Sequence, residues 1–259
     1  MIWMAALLLC ATACHNKPTD GNATFTIEGT LTNAANMTLY LEEMTPDNGA
    51  NFVDSIRCDS KGHFSFEGSM PYQTFYNLHV SPVDYIVLLP RDAEHIVLHG
   101  DATKLGSTYR VEGSPESQLM WEIQDHINAS NLVISDIAHQ DQQNKATMNA
   151  QQYEEAHKVT DSIFVSNRQL VYLTLYNFIN DHRGSLSTLY AIDAPYNHTM
   201  RVFYAESDFE VFETALEGLN DSLPTNPHTQ YFKTRVERIR SARAMAQQQQ
   251  QPGQEIIIK

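Results

Sequence analysis

Cysteine is close to absent from this chain. The 259 residues hold three, and two of them, Cys10 and Cys14, fall at the very start, leaving Cys58 alone in the body of the protein. That excludes an internal disulfide in the body and any thiol pair at Cys-x-x-Cys spacing. Positive charge is scarce as well. Against 31 Asp and Glu stand 17 Lys and Arg, a formal net charge of −14, which argues against nucleic acid as a partner because phosphates would be repelled. No Gly-x-Ser-x-Gly elbow, phosphate-binding loop or His-Glu-x-x-His motif occurs, so no catalytic residue is assigned and no cofactor is expected. No apolar run reaches the ~20 residues that a membrane-spanning helix needs.

What is present begins at the N-terminus. Leu7-Leu8-Leu9-Cys10-Ala11-Thr12-Ala13-Cys14 is an apolar run closing on small residues and a cysteine, and the polar His15 to Asp20 follow at once. The order reads as an export signal over residues 1–13, cleaved to leave Cys14 for lipid attachment, with 14–23 as a polar tether. Cys10 is the poorer attachment site because Leu9 precedes it where a small residue is wanted. Residues 1–13 depart from the usual pattern in having no Lys or Arg. The expected address is a bacterial cell envelope, lipid-anchored, facing the periplasm or the cell surface, with the membrane as a partner through the lipid.

Residues 24–113 alternate apolar and polar side chains in short bursts separated by turn residues, the signature of half-buried strands. Phe25 to Leu31, Met37 to Leu41, Phe52 to Cys58, His63 to Gly68, Phe75 to Val80, Tyr85 to Leu89, His95 to His99 and Tyr109 to Gly113 make eight. Asp59-Ser60-Lys61-Gly62 predicts a hairpin between the third and fourth. The fold class expected is α+β: an N-terminal antiparallel β-sandwich or partly open barrel, then an all-α domain over 114–246.

The change of period is abrupt. Ser114 as N-cap, Pro115 at the first helical position and Glu116 in the first turn predict a helix start. Leu119, Ile123, Ile127, Ile134 and Ile137 keep helical spacing up to Gln140–Asn144. A second helix is expected from about Gln151 to Phe178, with Gly184 as its C′ residue. Ser207-Asp208-Phe209-Glu210 predicts a capping box, and Asn226-Pro227 opens the last helix. The glutamine-rich 247–259 reads as a low-complexity tail or linker.

The lipobox, the strand Phe25-Thr26-Ile27-Glu28-Gly29-Thr30-Leu31, the Asp54-Ser55-Ile56 strand, the Gly62-His63-Phe64-Ser65-Phe66-Glu67-Gly68 arm and the helical second half together resemble a family of Gram-negative envelope lipoproteins. In that family a β domain of unknown function precedes a helical segment and a thioredoxin-like domain of the thiol-disulfide interchange or peroxiredoxin kind. The resemblance covers roughly residues 24–245 and implies an envelope partner of thioredoxin-like type. The redox domain has no counterpart in these residues, and its catalytic thiols have no positions here to be carried onto.

Other candidates divide by geometry. Cys58 shares strand parity with Phe52 and Ile56, which turns it towards a core as a small hydrophobe. His95 and His99 on one strand stand ~13 Å apart, too far for one metal, and no carboxylate or thiolate set completes them with His79; no metal site is assigned. Tyr72, Phe75, Tyr76 and Tyr85 read as core or strand residues, and the adjacent pairs Glu42-Glu43 and Glu154-Glu155 as solvated faces. Three Asp-Ser-aliphatic triplets, beginning at Asp54, Asp161 and Asp221, look like sites that some Gram-negative anaerobes glycosylate. The last helix carries Lys233, Arg235, Arg238, Arg240 and Arg243, a local reversal of the chain's acidity and a candidate docking face for an acidic partner or phosphate head groups. The function expected is that of a lipid-anchored, non-enzymatic binding or docking module. The alternative is the accessory half of a thiol-disulfide oxidoreductase whose catalytic domain is truncated or separately encoded.

Overall fold

A computed structural model of the protein describes residues 22–250. Eight strands, β1 (Ala23–Thr32), β2 (Thr38–Met44), β3 (Ala50–Arg57), β4 (His63–Met70), β5 (Tyr76–Ser81), β6 (Asp84–Leu88), β7 (His95–Asp101) and β8 (Arg110–Glu112), form two four-stranded sheets. Their orders are β4-β1-β7-β8 and β3-β2-β5-β6. All pairings are antiparallel except β1 with β7, which is parallel. The inward residues of the alternating bursts, among them Phe25, Ile27, Leu39, Leu41, Phe66, Leu78, Ile86, Ile96 and Leu98, are buried between the sheets as one cluster, the arrangement a period of two specifies.

The expected hairpin at 59–62 is a corner instead. β3 pairs with β2 and β4 with β1, so the chain changes sheets there. The turn chemistry is sound: Asp59 Oδ1 accepts from Lys61 N at 2.7 Å and His63 N at 2.9 Å. Gly62 has φ +83°, and a Cβ there would fall 2.1 Å from Leu31 O. Each end of the turn is bound to a different neighbour, however: Cys58 N donates to Met37 O, and Leu31 N to Gly62 O. Those bonds splay the strands into separate layers.

Cys58 is buried, but Phe52 is 65% exposed. The register between β2 and β3 pairs Leu41 with Asp54 and Glu42 with Phe52, leaving Val53 as an extra residue. Such a bulge inverts side-chain parity on one side of it. Ile56 therefore keeps its inward face while Phe52 turns out.

The helical unit starts where the period changes. Gly113 has φ +79° and lies against His95 O, where a Cβ would fall at 2.0 Å. After one short helix, α1 (Leu105–Thr108), the long α2 (Pro115–Thr147) begins with Ser114 Oγ accepting from Ser117 N. Its antiparallel neighbour α3 (Ala150–Asp181) opens with a capping box between Asn149 and Gln152, whose Asn-x-x-Gln signature is present in the sequence. Then come α4 (Ser187–Asp193), α5 (Phe209–Ser222) and α6 (Pro227–Gln250).

Two expected helix ends differ. The cap of α3 is His182, and Gly184 does not have a positive φ; a Cβ at Gly184 would meet Ser222 Oγ at 2.4 Å, so close approach to α5 is what a glycine permits there. The box at 207–210 does not form either. The Ser207 hydroxyl donates to the Asp208 carboxylate at 2.9 Å, and Asp208, the residue before α5, makes no side-chain cap; its carboxylate also accepts from Tyr204 N at 2.8 Å and Tyr172 Oη at 3.2 Å.

The two units share a core. Phe75, Val87 and Leu89 from the β half are buried in the same cluster as Met120, Ile123, Leu175, Ile192, Phe212 and Phe232. Polar clasps flank this seam. Ser117 Oγ accepts from Leu89 N at 3.0 Å, and the buried Glu116 carboxylate accepts from the Arg91 guanidinium and the Ser185 hydroxyl.

A pocket at the seam of the two units

Four segments converge on a pocket with a cavity volume of about 90 Å³. Met44, Thr45, Pro46 and Asn48 come from the end of β2 and its turn, Phe75 from just before β5, Leu189, Tyr190 and Asp193 from α4, and His228, Tyr231, Phe232 and Arg235 from α6. A largely apolar concavity with a few polar groups between structural units is the usual form of a ligand site.

Local chemistry fixes each wall. In the turn, Asn48 takes φ +65°, a conformation asparagine tolerates, and Thr45 and Gly49 close it through a 2.9 Å bond. The start of α6 is tied to the β half by Asn226, whose Oδ1 accepts from His228 N at 2.9 Å while its Nδ2 donates to Gln73 O at 2.8 Å. This sets the His228 ring edge-on to Phe75, centroids 5.1 Å apart. His228 Nε2 lies 2.8 Å from Thr74 Oγ1, which donates to Met44 O at 3.1 Å. Burial pushes the His228 imidazole down to about 4, so the ring is neutral at ordinary pH.

The two charged residues that line the pocket, Arg235 and Asp193, offset each other. Arg235 clamps Asp193 with bonds of 2.7 and 2.8 Å, and Arg201 adds a third to the same carboxylate at 3.2 Å. The Arg235 guanidinium also lies over Phe212 and Phe232, 5.4 and 5.9 Å from their centroids. Tyr190 donates its hydroxyl to Gln124 at 2.9 Å, and burial raises its pKa. Beside the Thr74–His228 pair, Gln73 Nε2 and Thr229 Oγ1 are buried with no partner among the described residues. The seam thus carries more polar atoms than its own side chains satisfy.

Residues 25–120 match a family model, the domain of unknown function DUF4369. The DUF4369 domain spans all eight strands and the first turns of α2, including the Glu116 and Ser117 clasps. It therefore supplies the β-side wall of the pocket, while α4 and α6 lie beyond it. Comparison with curated proteins found no match.

Of the residues singled out from sequence, Phe75 and Arg235 line the pocket and the others fall elsewhere. Cys14, with the leader 1–13, lies outside the described residues. Of the five cations on α6, Arg235 joins the pocket, Arg240 pairs with Glu213 at 2.9 Å, and Arg243 reaches the backbone carbonyls of Ala205 and Glu206 with its guanidinium over Phe209. Only Lys233 and Arg238 remain exposed without an ion pair among the described residues. Three of the five thus hold α6 onto its neighbours, because a helix packed on acidic and aromatic surfaces turns its long cations inward.

The histidines are dispersed. His95 bonds to Thr26 at 2.7 Å and Glu28 at 3.0 Å on one sheet, and His79 stacks on Tyr40 and approaches Glu42 at 3.4 Å on the other. No group of three His, Cys, Asp or Glu that could hold a metal occurs among the described residues. Phe75 and Tyr76 are buried, whereas Tyr85 is exposed. Ser55, Ser162 and Ser222 of the Asp-Ser-aliphatic triplets are exposed. Cys58 is 2% exposed, and its thiol pKa is raised, first by burial and then by Asp59.

His228 escapes sequence reasoning because its meaning depends on Thr74, 154 residues away.

Proposed function

We propose that this protein is a lipid-anchored component of a bacterial cell envelope, a non-enzymatic binding module that takes its ligand in the seam pocket. The observation that carries the binding reading is the pocket itself, an apolar concavity between the DUF4369 domain and the helices with its one ion pair internally satisfied. The lipobox at Ala11-Thr12-Ala13-Cys14 supports the anchor. A buried thiol held protonated is a poor nucleophile, which favours binding over redox chemistry for Cys58.

Two measurements test this reading. Cys14→Ser is expected to move the protein from the membrane to the soluble fraction; unchanged membrane association, with no lipid mass on the wild type, would refute the anchor. For the pocket, the neutral fluorophore N-phenyl-1-naphthylamine is expected to brighten on the wild type and not on Leu189→Trp, whose indole fills the cavity. Equal enhancement on both would place binding elsewhere.

A further inference from the structure

The pocket reading leaves open what the pocket takes, and the chemistry of its walls narrows that. Thr74 Oγ1 has one proton, and Met44 O at 3.1 Å accepts it. The 2.8 Å contact with His228 then needs its proton from Nε2, so the neutral ring carries its lone pair on Nδ1. His228 is only 6% exposed and lines the pocket. Its Nδ1 has no hydrogen-bond partner among the described residues. That nitrogen is not among the fully enclosed unpartnered atoms of the seam, so a ligand's donor can take the place of water there.

Charge is the second constraint. Asp193 and Arg235 are the charged residues of the lining and offset each other, while Arg201 lies outside it in contact with solvent, so an ionic ligand would lose its hydration without gaining an unpaired counter-charge inside the pocket. The third is shape. Met44, Phe75 and Phe232 offer a thioether and two ring surfaces, groups that favour aromatic partners through edge, face and sulfur contacts.

We propose that the seam pocket binds a neutral aromatic ring carrying an O–H or N–H donor, a phenol or an indole, with that donor on His228 Nδ1. This rests on the pocket being a ligand site and adds the class of ligand. The cavity volume of about 90 Å³ is on the scale of a single ring, so any remainder of the ligand lies outside it. A free small molecule and a tyrosine or tryptophan side chain on a peptide share this chemistry. The depressed imidazole pKa keeps Nδ1 an acceptor across the neutral range.

Calorimetric titration of the wild-type protein with p-cresol, indole, toluene, 4-methylanisole and 4-methylbenzoate tests the assignment. The two donors are expected to bind about tenfold more tightly than toluene or 4-methylanisole, the span of one neutral hydrogen bond, and the carboxylate not to bind. In His228→Phe the preference is expected to vanish while toluene still binds. N-acetyltyrosine amide separates the sources: tighter binding than p-cresol indicates a peptide ligand, weaker binding a free small molecule. Equal affinity for p-cresol and 4-methylanisole in the wild type would overturn the donor assignment and leave the pocket reading standing. Donor binding that survives Leu189→Trp would overturn both. The wild-type ligand series decides the question even if a variant fails to fold.

Discussion

Acidification should unfold this protein partly through a single imidazole. His228 titrates at about 4 in the folded chain against an ordinary value of 6.5. Above 6.5 the ring is neutral in both states and contributes no pH dependence. Between 6.5 and 4 the unfolded chain binds a proton that the folded chain does not, so stability falls as pH falls, and the contribution present at neutral pH is gone once the folded pKa is passed. A gap of about 2.5 units, at 1.36 kcal/mol per unit, makes the loss roughly 3 kcal/mol, a sizeable share of the 5–15 kcal/mol typical of a domain. In His228→Gln the amide can still donate to Thr74, but nothing titrates. Guanidinium unfolding midpoints at pH 7, 6, 5 and 4.5 are expected to fall more steeply in the wild type, by up to about 1.4 kcal/mol per unit. Groups common to both proteins cancel in the difference. Parallel curves would refute the burial argument and, with it, the picture of a neutral ring at the seam.

Cys58 is expected to resist a polar thiol reagent in the native protein and react after denaturation, and Cys58→Ser should cost about 1 kcal/mol as a poorly satisfied buried hydroxyl; rapid native labelling would refute its burial. His157 behaves in the opposite sense to His228. Its hydrogen bond to Asp141, with Asp161 nearby, raises its pKa, so its contribution is present below 6.5 and lost as pH rises through the raised value. Amide exchange around Asn149, corrected for intrinsic base catalysis, should therefore quicken across that range, and His157→Gln should abolish the step.

The strands were legible because each buries one face, so alternation survives in the sequence from Phe25 to Val111. The start of α2 was legible because Ser114, Pro115 and Glu116 are local signals. The bulge at Val53 was not, since one extra residue opposite Leu41 and Glu42 leaves no mark of its own and yet reverses where Phe52 points. Nor was the partner of β4, because a good four-residue turn closes equally well on one sheet or between two. Ser207 and Asp208 show the same limit at a helix end: the Ser207 hydroxyl is taken up by the Asp208 carboxylate, which Tyr204 N and Tyr172 also engage. The pocket lay furthest from view. It joins residues near 45, 75, 190 and 230, and no window along the chain contains more than one of its walls.

The α2–α3 hairpin has a mechanical consequence. At 1.5 Å per residue, the 33 residues of α2 reach about 50 Å. The buried side chains of α2 lie between Glu116 and Ser130, and those of α3, apart from Thr160, between Val171 and Ile179. The outer stretch is thus a cantilever: two helices fixed at the root by a packed core and held further out by partly buried contacts and the Asp141–Tyr153–His157 cluster. Opening there exposes little apolar surface, so its free-energy cost should decline from root to tip while the root stays locked. Force applied at the tip would then be absorbed by bending and fraying of the arm before it reached the seam, leaving the pocket walls in place while the far end of the molecule moves.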